Sequence, residues 1–83
     1  MIRHFRTDPL VCSDSIDIEI DDSNVITKCV IAGGCPGNLE GISKIVIGMR
    51  AEEVIARFEG IRCGGKSTSC PDQLAKVLKS ILN

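Results

Sequence analysis

With 83 residues the chain has room for one domain, residues 1–83, and it buries only roughly 60% of its unfolded surface, so a bound metal would help to stabilise its core. Its 43% hydrophobic and 25% charged residues exclude a disordered chain, and a net charge of −1 with 2% aromatic residues excludes a general nucleic-acid binder. No apolar run approaches the roughly 20 residues that cross a membrane and no secretory signal is present, so we expect a cytoplasmic protein.

Period-two alternation predicts a small antiparallel sheet in the first half of the chain. Isoleucines alternate with acidic residues over residues 16–20, which is typical of a strand with one dry face. The turn sequence at residues 22–24 and the β-branched run at residues 25–32 predict a hairpin, and residues 2–7 are expected to add a third strand.

Helical spacing predicts three helices in the second half. Asn38 is a good N-cap residue for the first helix, the second covers residues 51–59 and ends at Gly60, and the third starts near Pro71. The apolar positions of the first helix are Leu39, Ile42, Ile45, Val46 and Met49. We therefore predict an α+β fold in which two to three antiparallel strands are followed by three helices packed on one face.

The segment at residues 60–67, GIRCGGKS, matches the phosphate-loop pattern G-x-x-x-x-G-K-[ST]. A working phosphate loop leaves a strand and enters a helix at its Lys-Ser pair. Here a predicted helix precedes Gly60, and this glycine is explained as the terminator of that helix. We interpret the match as accidental and expect Lys66, Ser67 and Thr68 to be solvated loop residues.

Five cysteines are a high density, and in a reducing cytosol such a density more often indicates metal ligation or redox chemistry than structural disulfides. Cys70 falls at the predicted N-cap of the last helix, ahead of Pro71, where the positive helix end stabilises a thiolate. Cys35 lies just ahead of the first helix, and Cys63 lies in the loop between the second and third. Cysteines at helix ends predict a thiolate site, although the Cys63–Cys70 spacing is not that of a C-x2-C knuckle.

The remaining candidates are interpreted individually. Cys29 shares a strand face with Thr27 and two aliphatic residues, which is typical of a small buried hydrophobic residue. Cys12 precedes the predicted strand that contains residues 16–20, and the sequence leaves a role as metal ligand open for it. His4, the single histidine, is expected on the surface, and Asp72 is expected to cap the last helix from its first turn.

Three motifs, GGCPGNLEGI, GIRCGGK and TSCPDQLAKVL, resemble the TSCPD domain family over nearly the whole chain. The similarity is to small stand-alone members with four cysteines, which implies Cys12, Cys35, Cys63 and Cys70 as metal ligands and leaves Cys29 as a bystander. The same domain occurs at the C-terminus of adenosylcobalamin-dependent ribonucleotide reductases, which implies an association with that enzyme and deoxyribonucleotide synthesis. Stand-alone members are often labelled ribonucleoside-diphosphate reductase, but 83 residues cannot enclose the catalytic barrel, so we expect no catalytic constellation of its own.

The sequence also resembles, more weakly, iron–sulfur scaffold proteins of the NifU type. Gly34-Cys35, the unit at residues 48–59 and Ser69-Cys70 follow the order of elements in those scaffolds. Pro36-Gly37 stands where the scaffolds place an assisting acid, so the resemblance implies a shared thiolate pocket but does not extend to cluster transfer.

These observations lead to three functional hypotheses. The first is a metal-binding accessory domain in which the four cysteines hold zinc or, as the second choice, an iron–sulfur cluster. The second is a dithiol carrier in which Cys63 and Cys70 cycle as a disulfide to supply electrons to a reductase. The third is a metal-free protein-interaction module. The partner implied is a ribonucleotide reductase or another redox enzyme, with no nucleic acid and no membrane.

Overall fold

The structure is a computed structural model and describes residues 2–7, 13–33, 36–62 and 64–82. In these ranges the chain forms three strands and then three helices, which are β1 (Arg3–Arg6), β2 (Ser13–Ile20), β3 (Ile26–Gly33), α1 (Pro36–Ile45), α2 (Ala51–Phe58) and α3 (Cys70–Leu82). The strands form one antiparallel sheet in the order β1-β2-β3. The predicted α+β fold, an antiparallel sheet followed by three helices, is therefore confirmed.

The core lies between one face of the sheet and the apolar faces of the helices. Ile16 and Ile18 of β2 are fully buried, as their alternation predicted, and they pair with Ile31 and Cys29 of β3. The buried helical and connecting residues of the same cluster are Val46, Ala51, Val54, Leu74, Val77 and Leu78. Each large aliphatic side chain contributes roughly 1.5–3 kcal/mol when it is fully buried, so this cluster holds the helices on the sheet.

A β-bulge changes which residues of β3 face the core. Between two successive pairs of the β2–β3 register, β3 contains one extra residue, Thr27. The inward position therefore moves to Ile26, which is buried, while Thr27 is exposed. The prediction that Thr27 shares the buried face of Cys29 is wrong, and the Thr27 hydroxyl instead donates a 2.8 Å hydrogen bond to Glu19 Oε1.

Helix α1 differs from its predicted boundaries at both ends. It begins at Pro36, because proline suits the first helical turn, so Asn38 lies inside the helix and is not its N-cap. It ends at Ile45, whose side chain is 70% exposed, although the helical spacing predicted it to be buried. The chain turns directly after Ile45, and this turn directs Val46 into the core. Gly48, with φ of +87°, completes the turn.

The connection between α1 and α2 is attached to the sheet by backbone hydrogen bonds. Ile26 N donates to Met49 O and Gly48 N donates to Ile26 O, both at 2.9 Å. Ala51 N donates to Asn24 O at 2.7 Å. These bonds fix the start of α2 beside the start of β3.

The predictions for the two C-terminal helices are largely confirmed. Helix α2 ends one residue earlier than predicted, and Gly60, with φ of +87°, stands just beyond it in the conformation that favours glycine. Helix α3 exposes Lys76 and Lys79, and Lys79 pairs with Glu59 beyond the end of α2. Since a helix and not a strand precedes Gly60, the context of a phosphate loop is missing. No helix in the described ranges combines the length and apolarity that a membrane crossing needs.

Gly33, the last residue of β3, offers a test of the register at this end of the sheet. Its φ is +83°, and a Cβ atom added there would lie 2.6 Å from Asp14 Oδ2. We expect Gly33→Ala to lower the free energy of unfolding by about 1–3 kcal/mol.

Gly41→Ala is the matched control, because Gly41 lies within α1 and an added Cβ would meet nothing within 4 Å. This change is expected to raise stability by up to about 1 kcal/mol. Urea denaturation of both variants measures the difference, and equal stabilities would contradict the register described for Gly33.

Candidate metal centre

Cys70 is the first residue of α3, and its N-cap is Ser69. The Ser69 carbonyl accepts the first helical hydrogen bond, from Gln73 N at 2.8 Å, and its hydroxyl accepts a bond from Asp72 N at 3.1 Å. The prediction that Cys70 is the N-cap is wrong by one residue, because a serine hydroxyl satisfies the free N–H groups of a first turn better than a thiol does. Cys70 nevertheless lies in that turn, at the positive end of the helix.

The side chain of Cys70 packs against two other elements. It is 7% exposed and forms a small apolar cluster with Leu39 of α1. Ile31 of β3 and Ile42 of α1 pack against the same cluster. The start of α3 is therefore held against α1, in a cluster that the second half of β3 also borders.

Asp72 joins the end of α2 to the start of α3. Its carboxylate is 3% exposed and uses both oxygens: Oδ1 accepts a 2.8 Å bond from Gly60 N, and Oδ2 accepts a bond from the Thr68 hydroxyl. Lys76 Nζ lies 3.3 Å from Oδ2. Burial raises the pKa of Asp72, but the bonds from Thr68, Gly60 and Lys76 together outweigh it and hold that pKa below its usual value. Asp72 is therefore ionised at neutral pH.

Thr68 and Ser69 are buried parts of this junction. Thr68 is 2% exposed, and its hydroxyl also accepts a 3.0 Å bond from Gln73 Nε2. The Ser69 hydroxyl donates to the Ile61 carbonyl at 2.7 Å. The expectation of a solvated Thr68 is therefore wrong, because its hydroxyl is needed by buried polar neighbours. The sequence signal that sequence analysis missed is the spacing Ser69-x-x-Asp72, which resembles a capping box.

The surroundings of Cys29 disfavour its thiolate form. It is 7% exposed, and burial raises the pKa of its thiol to about 11, against a smaller lowering by a hydrogen bond with Ser43. Metal ligation requires the deprotonated thiolate, so a thiol with this pKa binds metal poorly at neutral pH. The prediction that Cys29 is a buried small residue is confirmed.

His4 lies on the exposed surface of the sheet, as predicted. It stands directly opposite Asp17 in the β1–β2 register, and its Nδ1 is in hydrogen-bond contact with the Asp17 carboxylate. This pair is a cross-strand surface interaction, so its stabilising contribution is small.

Of the four predicted ligands, the described residues include Cys70 alone. Cys12, Cys35 and Cys63 lie outside the described residues, and their role as ligands stays a prediction. Among the described residues, no group of three or more His, Cys, Asp or Glu side chains is arranged to hold a metal ion. The described part of the predicted site is therefore Cys70 with the hydrogen-bonded junction around it.

Comparison with protein families matches residues 2–82 to the TSCPD domain. No curated protein sequence and no solved structure gives a significant match. The matched range contains the whole junction from Gly60 to Asp72 and all five cysteines. These comparisons do not show the similarity to scaffold proteins of the NifU type.

The chemistry of Cys29 leads to a direct prediction. A rise of its pKa from the usual 9.0 to about 11 lowers its thiolate fraction. At pH 7 this fraction is about 100-fold smaller than in the unfolded chain. We therefore expect iodoacetamide to modify Cys29 at least about 100-fold more slowly in the folded protein than in urea. Peptide mass spectrometry after timed quenching measures both rates, and similar rates would show that the thiol is exposed and ionised.

Proposed function

The chain belongs to the TSCPD domain family, and we propose that it is a small accessory domain that binds one metal centre through Cys12, Cys35, Cys63 and Cys70. Zinc held by four thiolates is the first candidate, and an iron–sulfur cluster is the second. A four-thiolate zinc site is structural, because it leaves no open position for a substrate. The metal would thus stabilise the fold and would not carry out a reaction.

The described neighbours of the first two ligands support a shared site. Ser13, which follows Cys12 in the chain, pairs with Gly33 at the end of the β2–β3 ladder. Gly33 lies two residues before Cys35. Since Ser13 and Gly33 are paired, the chain leaves one and the same end of the sheet toward both cysteines.

The described neighbours of the other two ligands are also in contact. Ser69, which precedes Cys70, donates its 2.7 Å hydrogen bond to the carbonyl of Ile61. Ile61 lies two residues before Cys63. The chain segments that carry these two cysteines are therefore bonded to each other.

The packing of Cys70 joins the two pairs, and this observation carries the proposal. Cys70 clusters with Leu39, which lies four residues after Cys35, and Ile31, which lies two residues before Gly33, packs against this cluster. The start of α3 is thus attached through Leu39 to the same end of the sheet from which the chain leads to the other pair.

A bound metal would also add stability that the small aliphatic core of this chain does not supply by itself. Structural zinc contributes on the order of 10 kcal/mol to the folding of small domains. The burial of Cys70 supports this use of its sulfur over a dithiol carrier, because thiol–disulfide exchange requires access for the attacking partner.

We further propose that the partner is a ribonucleotide reductase, which the family association implies. The chain would act beside the enzyme, as a replacement for a C-terminal domain of the same family. Adding the purified protein to a reductase that lacks this domain should restore turnover, and unchanged turnover would contradict the partnership.

The metal proposal is tested by elemental analysis and optical spectroscopy of protein purified without oxygen. We expect about one zinc per chain, or a brown protein if the centre is an iron–sulfur cluster. Serine variants at the four ligand positions should lose the metal and melt at lower temperature, because a serine hydroxyl is a poor substitute for a thiolate. Those variants are Cys12→Ser, Cys35→Ser, Cys63→Ser and Cys70→Ser.

Cys29→Ala is the matched control for this series. It removes a buried cysteine that stays protonated at neutral pH, so the metal content should not change. Unchanged metal content and melting temperature in Cys35→Ser would refute the four-thiolate site. A metal-free protein with a Cys63–Cys70 disulfide that thioredoxin reduces would replace it with the dithiol carrier.

A further inference from the structure

The carboxylate of Asp72 closes the loop that carries one predicted ligand and leads into the next. We infer that Thr68 and Asp72 are positioning residues that hold Cys70 for the metal, an inference that rests on the proposed function. The Thr68–Asp72 clamp consists of the two hydrogen bonds that the Asp72 carboxylate accepts, one from the Thr68 hydroxyl and one from Gly60 N.

The clamp fixes both ends of the loop to one group. Gly60 is the residue from which the loop leaves α2, and Thr68 is the residue at which it approaches α3. One carboxylate accepts a hydrogen bond from each of them. Without the clamp the two ends of the loop could separate, and bringing them together again to bind metal would cost conformational entropy. With the clamp the ends are already together in the folded protein. The loop therefore starts and ends at a defined separation.

The clamp goes beyond what the start of a helix needs. Ser69 already caps α3, because its hydroxyl accepts the bond from Asp72 N and its carbonyl accepts the bond from Gln73 N. The Asp72 side chain is therefore available for another task, and it binds the end of α2. Cys70 lies between Thr68 and Asp72 in the sequence, so the clamp holds its backbone from both sides.

Burial makes the clamp sensitive to the loss of any member. Thr68 and Asp72 are both buried, and the Thr68 hydroxyl binds Gln73 Nε2 as well as the carboxylate. If the hydroxyl is removed, the Asp72 oxygen and the Gln73 amide each lose one hydrogen bond, although Lys76 Nζ stays 3.3 Å from that oxygen. A buried network that has lost a hydrogen bond rearranges to replace it, because incomplete satisfaction of buried polar groups is costly. The first turn of α3 would then shift relative to Gly60.

The decisive comparison is Thr68→Val with Thr68→Ser. Valine has nearly the shape of threonine but neither donates nor accepts a hydrogen bond, whereas serine keeps the hydroxyl. We expect Thr68→Val to weaken Zn²⁺ binding about 10- to 100-fold, the range seen when groups that orient metal ligands are lost. Thr68→Ser should stay close to the original affinity. Competition with a chromophoric chelator measures the dissociation constants.

A second readout can be made whether or not the protein binds metal. The rate at which iodoacetamide modifies Cys70 in the protein as purified reports how well the start of α3, together with any bound metal, protects the thiol. We expect Thr68→Val to raise this rate on the order of tenfold and Thr68→Ser to leave it unchanged. Peptide mass spectrometry assigns the modification to Cys70.

Two control variants separate the clamp from charge and from global stability. Lys76→Gln removes the ion pair between the half-exposed Lys76 ammonium group and Asp72 at 3.3 Å but keeps the bonds from Gly60 and Thr68, so both readouts should change less than in Thr68→Val. Val54→Ala removes a side chain of α2 that is buried in the hydrophobic core and takes no part in the clamp, so it leaves a cavity there and lowers stability. In native buffer it should not accelerate the modification of Cys70.

The two proposals fail in different ways. A protein that binds no zinc and no iron defeats the proposed function, while the modification rate of Cys70 still decides whether the clamp positions this residue. If Thr68→Val leaves both readouts unchanged, the inference is overturned. The same holds if Val54→Ala accelerates the modification of Cys70 as much as Thr68→Val does, because the effect would then be one of overall stability.

Discussion

A buried, ionised carboxylate between two helices is the constraint on which the C-terminal half of this protein depends. A charge in the interior is tolerated only where hydrogen bonds satisfy it, and Asp72 obtains them from Gly60 at the end of α2 and from Thr68 ahead of α3. Neither helix can move relative to the other without breaking one of these bonds. The consequence is that Cys70, in the first turn of α3, has a defined position beside α1 and β3.

The apolar core and the polar junction have different tasks. The core consists of aliphatic side chains, which decide the faces on which sheet and helices meet but tolerate small shifts, since apolar packing is not directional. Hydrogen bonds require defined distances and angles, and at the junction between α2 and α3 they link Ser69 to Ile61 and Asp72 to Gly60. A metal site needs that definition, because ligand geometry controls both affinity and the choice of metal.

The sequence predicted the elements that depend on local pattern. The alternation at residues 16–20 identified the buried face of β2, and Pro71 located the start of α3 to within one residue. The errors arose where residues distant along the chain decide the outcome. The bulge at Thr27 depends on the register with β2, and the burial of Thr68 depends on a carboxylate that also binds Gly60. Single-sequence periodicity contains neither relation, whereas the Ser69-x-x-Asp72 spacing was a local signal that could have placed the N-cap correctly.

The central claim is that four sulfur atoms from separate parts of the chain bind one metal, and X-ray absorption at the edge of the metal that copurifies measures the identity and number of its neighbours. For zinc, the account predicts a first shell of four sulfur atoms at about 2.3 Å. A first shell composed mainly of oxygen or nitrogen, at about 2.0–2.2 Å, would contradict it.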